Sequence, residues 1–457
     1  MIRAYFDSDV INGIREGNQK ELADLISTER DKLLIPFSMA HVYDKIPSLA
    51  KPELFWRDID FITEITEKKL FNYDNKKLYT KLEIATAREL YEAIAEGLEM
   101  QEEFTSFDKI INYLIEESKE MLGDESDQKL IEAIDKLEKL RSEKILGEDG
   151  TITGNDIIQQ AMDFSNALQN NAEAYRENRN LMREQFLLPT NASNWNEDEA
   201  FSKIDREIQN GTDHDNFLEF IEEHLNEEQR KDRFLYYVQA YTMLGNIGYH
   251  ADKIDIKRNK GLKNHMYDGM HSFFGAHADY FVVLDSKMRA KSKALYRYLN
   301  LDTKVVSPDE FYQEMQVAYK PFGIKDALKI LEDQEPVDYR AGDEYQFLFR
   351  TGCHFLGYFT HIQFQKREDG KVQMIFANRY TNYSRLLFFE EFDDVIKNVQ
   401  TYMGLTNNID STIQAFHKSI QETGQHQHDY IYQDEVYGRL FTNGQEFYLT
   451  INLLSTG

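Results

Sequence analysis

Two short runs that each stop at an aspartate constrain this chain more than any other feature. The first is Arg3-Ala-Tyr-Phe6, which ends at Asp7, and the second is Tyr280-Phe-Val-Val-Leu284, which ends at Asp285. A continuously apolar run such as the second is what a strand buried on both faces requires, and such strands belong to parallel sheets covered by helices. The surrounding pattern agrees. Asn18 to Arg30 has helical spacing, with Leu22, Leu25 and Ile26 on one face. Leu33-Leu-Ile-Pro-Phe37 reads as a second strand, and Ser38 as the cap of a helix through Met39, Val42 and Ile46. After Asp285 come a basic helix from Ser286 to Leu299 and a strand at Thr303–Val306. A helix start follows at Ser307-Pro-Asp-Glu310, with proline in its first turn. This alternation predicts an α/β domain with a parallel sheet.

The texture changes between these ends. From Glu67 to Leu244 the strand signals fade, and stretches such as KLEIATARELYEAIAEGLEMQEEF and DQKLIEAIDKLEKLRSEKIL repeat apolar residues at helical spacing among Glu and Lys. Gly147–Gly154 and Pro189–Asn196 read as breaks between helices. The expectation is an α/β core in two halves, 1–66 and 245–332, interrupted by an all-helical insertion over 67–244. A third unit, 337–457, reads as α+β. In it Tyr345–Phe349, Gly357–Gln365 and Val372–Ala377 are strands, with a turn at Glu368-Asp-Gly370, and two helices span roughly Glu390–Met403 and Asp410–Glu422. A last hairpin turns around Asn443-Gly444. A length of 457 residues accommodates two or three such domains.

Composition narrows the class of protein. Cys353 stands alone, so neither an intrachain disulfide nor a cysteine-based zinc site can be built. The N-terminal MIRAYFDSDVING lacks the basic lead and apolar core of a signal peptide, and no apolar run approaches membrane-spanning length. A reducing, cytoplasmic setting without membrane contact is expected. The net charge of −27 argues against a general nucleic-acid coating surface, although it leaves room for a local basic channel. Neither a Walker pattern nor a dinucleotide glycine pattern is present.

The chemistry-bearing residues are carboxylates. Ligands of parallel sheets bind at the carboxyl ends of the strands, where Asp7 and Asp285 stop theirs. Carboxylates at one such edge can share a hard cation, and Mg²⁺ and Mn²⁺ favour oxygen ligands. Asp268 is expected to open a helix over Asp268–Ala278, with His271 one turn on. Each aspartate alone reads first as a turn or cap residue, and it is the set in order that points to a site.

In order, these segments resemble the motifs of PIN-domain nucleases. YFDSDVINGI is similar to the opening motif, a strand ending in Asp-Thr/Ser-Asn/Asp. IPFSMAHVYDKI is similar to the second motif, with Ser38 and an acidic residue, Asp44, where the family usually has Glu. YDGMHSFFGAHADYFVVLDSKMRAKSKAL resembles the third and fourth, and KVVSPDEF the closing strand and helix. The resemblance covers most of Met1–Thr66 and Asp268–Phe311, not the insertion or the C-terminal unit. It implies a PIN-like core in which Asp7, Asp44, Asp268 and Asp285 are catalytic carboxylates binding Mg²⁺ or Mn²⁺. Ser8 assists by hydrogen bonding, and Asp9, Ser38 and His271 support the site. The implied activity is metal-dependent endonuclease cleavage of phosphodiesters, RNA favoured over DNA, extending to toxin-like or defence-related cleavage of host RNA. The alternative is a catalytically weak PIN-like scaffold that works as an interaction or regulatory module. In that case the helical insertion or C-terminal unit engages a partner protein or a second copy.

Cations are expected beside such a site. Between Lys253 and Arg297 there are ten Lys and Arg against four Asp. The ten include Lys253, Lys257, Arg258, Lys260, Lys263, Lys287, Arg289, Lys291 and Lys293. Lys287, Arg289 and Lys291, just after Asp285, are the candidate phosphate contacts, with an ordinary solvated basic helix as the plain alternative. Three other groups invite two readings each. His426 and His428 alternate like metal ligands or lie in a polar loop. Arg350 and His354 flank Cys353 as a reactive thiol or surround a structural one. Tyr380 and Tyr383, with Arg379 and Arg385, stack bases or form an edge loop.

Overall fold

Strand β1 (Ile2–Phe6) is buried at every residue and lies inside a four-stranded parallel sheet of order β2-β1-β8-β9, with β2 at Leu33–Leu34, β8 at Tyr280–Val282 and β9 at Lys304–Val306. Side chains alternate across a sheet, and here each set has its own core. Tyr5, Phe281 and Val305 enter one hydrophobic cluster, whereas Ile2, Ala4, Phe6, Tyr280, Val282 and Val306 enter the other. Burial on both faces is why these strands read as nearly continuous apolar runs. The computed structural model describes residues 2–74, 78–103, 144–147, 150–153, 171–185, 188–189, 192–251, 254, 261–318, 326, 329–330, 333, 335, 338–340, 346–366, 372–378, 389–432, 435–443 and 447–452.

The chain leaves β1 through α1 (Ser8–Arg15) and α2 (Lys20–Thr28), then enters β2. The expected strand over Leu33–Phe37 is two strands. Leu33–Leu34 pairs with β1, whereas β3 (Phe37–Ser38) pairs with β4 (Lys69–Asp74) in a separate sheet. Pro36 lies between them, and a residue without an N–H cannot continue a ladder. Ser38 caps α3 (Met39–Lys45) as expected, and α4 (Pro52–Thr66) begins with proline at its first position.

The all-helical expectation for 67–244 is not what the structure has. Strand β4 pairs antiparallel with β5 (Tyr79–Ile84), so the segment after α4 is a hairpin extending the β3 sheet. Charged residues such as Lys81 and Glu83 gave it a helix-like texture, but its aromatic positions Phe71 and Tyr73 are buried against the core. Helix α5 (Ala87–Glu103) follows, then a second hairpin of β6 (Lys144–Gly147) and β7 (Gly150–Thr153), where a break between helices was expected. Most of DQKLIEAIDKLEKLRSEKIL lies outside the described residues. Helices α6 (Ala172–Gln185), α7 (Glu197–Gly211), α8 (Phe217–Glu223), α9 (Glu227–Lys231) and α10 (Arg233–Ile247) complete this part. Helix α10 is nearly all buried, and its Tyr237, Val238, Tyr241 and Leu244 share the cluster of Tyr5 and Phe281. It packs on the helix at Leu262–Gly275, which in turn contacts β1 and β8.

Helix α11 (Leu262–Gly275) packs beside α10 and leads into β8. Gly275 makes this approach possible: a Cβ there would stand 2.5 Å from Cγ of Phe281. After β8 come α12 (Ser286–Tyr298), β9 and α13 (Pro308–Ala318).

The C-terminal part is α+β, as expected. Strands β10 (Asp338–Arg340), β11 (Gln346–Phe355), β12 (Phe359–Lys366) and β13 (Val372–Ala377) precede α14 (Phe389–Tyr402) and α15 (Ile409–Thr423). Strands β14 (His426–Tyr432), β15 (Glu435–Thr442) and β16 (Phe447–Asn452) follow. They form one antiparallel sheet of order β10-β11-β12-β13-β16-β15-β14. Phe392, Val395, Ile396 and Phe416 of the helices share its core with Ile362, Phe376, Leu440 and Leu449. The sheet is tied to the first core by charge. Arg3 and Glu391 form an ion pair with both side chains fully buried, and His354 Nε2 stands 3.3 Å from Asp279 Oδ2. Asp279 also accepts from the backbone N–H of Arg3 at 2.8 Å. Burial works to raise the Asp279 carboxyl, but His354 and Arg3 outweigh it and hold it below its ordinary value. Among the described residues no helix is long and apolar enough to cross a membrane.

Candidate active site

Asp7 stands where β1 stops. Its Oδ1 accepts from Val10 N at 2.8 Å, capping α1, and its Oδ2 accepts from Leu284 N at 3.2 Å, just beyond β8. Asp285 caps α12 in the same manner, accepting from Lys287 N at 2.8 Å and Met288 N at 2.7 Å. The plain capping role is therefore realised at both positions. What goes beyond it is the place: Asp7, Asp44, Asp268 and Asp285 all line one cavity of about 410 Å³ at the carboxyl ends of β1 and β8. Ser8, Asp9 and His271 line it too, so the structure brings together residues from four separate segments of sequence.

Asp44 reaches this cavity from α3 and is held by His271. Nε2 of His271 lies 2.9 Å from Asp44 Oδ2 and 3.2 Å from Ser8 Oγ. A carboxylate only accepts, so Nε2 donates to Asp44. Burial works to raise the Asp44 carboxyl, but the His271 bond and charge, Ser8 and Lys45 together outweigh it and hold it below its ordinary value. Asp7 has no such compensation: burial dominates and pushes its carboxyl up to about 7, against weaker lowering by Val10, His271 and Leu284.

Behind these carboxylates Ser38 and His271 join a buried polar chain whose other members, Tyr5 and His41, the sequence did not single out. Tyr5 OH stands 3.0 Å from His271 Nδ1 and 2.6 Å from Ser38 Oγ. His41 Nε2 is 2.8 Å from the Phe6 carbonyl, which can only accept, so Nε2 carries the proton. His41 Nδ1 then accepts from Ser38 N at 3.1 Å, closing a capping box around α3. Burial, followed by the charge of His271, holds His41 well below its ordinary value and therefore neutral. The spacing carried a signal: His41 occupies the position three after the Ser38 cap, where capping boxes carry Glu or Gln. Lys45 was also missed. It is buried, lines the cavity, donates to Asn12 Oδ1 at 2.7 Å, and is held below its ordinary value chiefly by burial.

Three expectations need correction. Asp268 does not open its helix, because α11 begins six residues earlier at Leu262 and Asp268 sits within it, half-buried. The helix start was misplaced because Gly261 caps it without any side-chain bond. Of the basic residues after Asp285, Lys291 does not stand in solvent as a phosphate contact would, whereas Lys287 and Arg289 are half-buried. Lys291 is buried with Nζ 4.7 Å from the Tyr241 ring, Arg289 Nη1 donates to Val283 O and Leu284 O, and Lys287 Nζ donates to Ala251 O. Finally, His426 and His428 lie on β14, not in a loop, and His426 meets the Phe416 ring edge-on, with centroids 4.1 Å apart. Lys253, Lys257, Arg258, Lys260, Arg379, Tyr380, Tyr383 and Arg385 lie outside the described residues. Cys353 is in β11, and its neighbour His354 is committed to Asp279.

The donor set suits a hard divalent cation in kind. Five aspartates line the cavity against one lysine, and a Mg²⁺ that keeps its waters needs only one or two carboxylates. In the arrangement present, no three His, Cys, Asp or Glu among the described residues stand close enough to hold a metal together. Asp44 is turned to His271 and Asp285 to its own helix. No family model, characterised protein or solved structure matches the chain.

Proposed function

We propose that the chain is a PIN-like, Mg²⁺- or Mn²⁺-dependent nuclease that hydrolyses phosphodiesters, RNA more readily than DNA. The observation that carries this reading is the convergence of Asp7, Asp44, Asp268 and Asp285 on one cavity at the carboxyl edge of a parallel sheet. Asp7, Asp44, Asp268 and Asp285 are the carboxylates that would hold the ion, Asp44 and Asp285 after turning from His271 and the α12 amides. When bound, it polarises the phosphodiester and acidifies an attacking water. The chain's own groups set the stage. Asp7 is buried and fixed by two backbone N–H groups, so its carboxylate is preorganised. Helices α1 and α12 begin beside the cavity, and their N-termini favour the anionic charge of a phosphate. Lys45 supplies the ammonium in the lining. The purified chain is expected to cleave an oligoribonucleotide only with added Mg²⁺ or Mn²⁺, and Asp7→Asn and Asp285→Asn should each abolish this. Cleavage retained by both variants sinks the assignment.

One observation favours a second reading, a weakly catalytic PIN-like scaffold. The cations expected to hold phosphates are spent on internal carbonyls and an aromatic ring. Calorimetric titration separates the two readings, because a scaffold would show no Mn²⁺ binding that depends on Asp7.

A further inference from the structure

Beside the acidic cavity, two tyrosines stack across the seam between α3 and α11. Tyr43 and Tyr267 have ring centroids 5.4 Å apart and planes inclined by 11°. Each directly precedes one of the cavity aspartates, Asp44 or Asp268. Tyr267 lies one helical turn before His271 on the same face of α11, and His271 holds Asp44 of α3. The stack is therefore the next layer along the same seam as the His271–Asp44 bond. The turn of α11 that carries Tyr267 also carries Asn264, His265 and Asp268 into the cavity lining. Both rings are only half-buried, unlike the enclosed aromatics Tyr5, Phe273 and Phe274. The charge of Asp44 reaches Tyr267, a further sign that the rings border the carboxylates. Exposed Lys263 lies one turn before Tyr267 on its face of α11.

We infer that the Tyr43–Tyr267 pair is a platform on which an unpaired base stacks beside the phosphate to be cut. This rests on the nuclease reading of the same cavity. The chemistry favours it for three reasons. A planar, partly exposed aromatic face accepts any base, and stacking adds affinity without sequence preference. A base inside a duplex presents no free face, so the platform selects against paired strands. Among the described residues the cavity lining holds five aspartates and one lysine, so base contacts carry more of the binding.

The test uses the full chain carrying Asp7→Asn to suppress turnover, with Mg²⁺ present. Binding of a labelled single-stranded oligoribonucleotide is read by fluorescence anisotropy. Tyr43→Leu and Tyr267→Leu should each weaken binding by about tenfold, the order expected for one lost base stack. Tyr43→Phe and Tyr267→Phe should restore it, and a duplex of the same sequence should bind no better than the Leu variants bind the single strand. If the Leu variants do not fold, a scan with single abasic sites decides. One abasic position must weaken binding to the unsubstituted tyrosines by a similar factor. Uniform binding across the scan, equal binding of duplex and single strand, or folded Leu variants with unchanged affinity overturn the platform. A chain that binds or cleaves no oligonucleotide overturns the nuclease reading itself.

Discussion

His271 and Asp44 meet across 2.9 Å although 227 positions separate them, and their bond pins α11 to α3 at the wall of the acidic cavity. The His271 side chain is enclosed, whereas Asp44 keeps some exposure toward the cavity. Removing the imidazole would strand a carboxylate whose charged form depends on it. His271→Ala should therefore cost about 1–3 kcal/mol in urea unfolding. Adding Asp44→Asn to His271→Ala should cost little more, because the pair is already broken. Strict additivity of the two changes would mean that the bond contributes nothing.

Asp7 makes stability depend on pH in an unusual direction for a carboxylate. Its folded value of about 7 lies above the ordinary 3.8. Between these values the folded chain keeps a proton that the unfolded chain has lost. Its contribution is thus fully present below the ordinary value and drains away as pH rises toward about 7. For one linked proton the slope approaches about 1.4 kcal/mol per pH unit. Urea midpoints across this window should show the decline, and Asp7→Asn should flatten it. An Asp7→Asn chain with the same pH profile would refute the assignment.

The same proton competes with a metal. A carboxylate must ionise to act as a ligand, so Mn²⁺ affinity should rise as pH approaches about 7 and level off above it. Calorimetry in buffers of different ionisation heat should detect a proton released on Mn²⁺ binding below that value. Pure heat-of-binding signals with no buffer dependence would exclude Asp7 as a ligand.

The sequence made the parallel sheet legible because β1 and β8 are buried on both faces, which leaves an apolar run no other explanation. Asp7 and Asp285 were legible for the same reason: a strand that stops at an acid announces an edge. The hairpin β4–β5 was not legible, because its partner β3 is a two-residue strand after Pro36 that no local pattern specifies. Lys291 shows a different limit. Its charge suggested solvent, but its helical position faces α10, and the chain buries the stem and sets the ammonium over Tyr241. Composition cannot distinguish those two fates. Tyr5, His41 and Lys45 acquire their meaning from α3 folding against β1, α1 and α11, contacts between distant segments.

The Arg3–Glu391 ion pair joins the first strand of the chain to the C-terminal helices with both side chains fully buried. Removing one partner takes from the other the counter-ion it touches, in a place that water does not reach. Arg3→Met or Glu391→Leu alone should therefore destabilise by about 3–5 kcal/mol. The double change Arg3→Met with Glu391→Leu replaces both charges by apolar groups and should recover most of that loss. Urea unfolding followed by fluorescence reads the global effect. Limited proteolysis reads whether the C-terminal sheet has come away from the parallel core. In the single variants, cleavage between α13 and β11 should accelerate while the double variant resembles the parent. Single variants that lose stability without any gain in cleavage there would place the cost inside one core and deny the pair its role in docking the two.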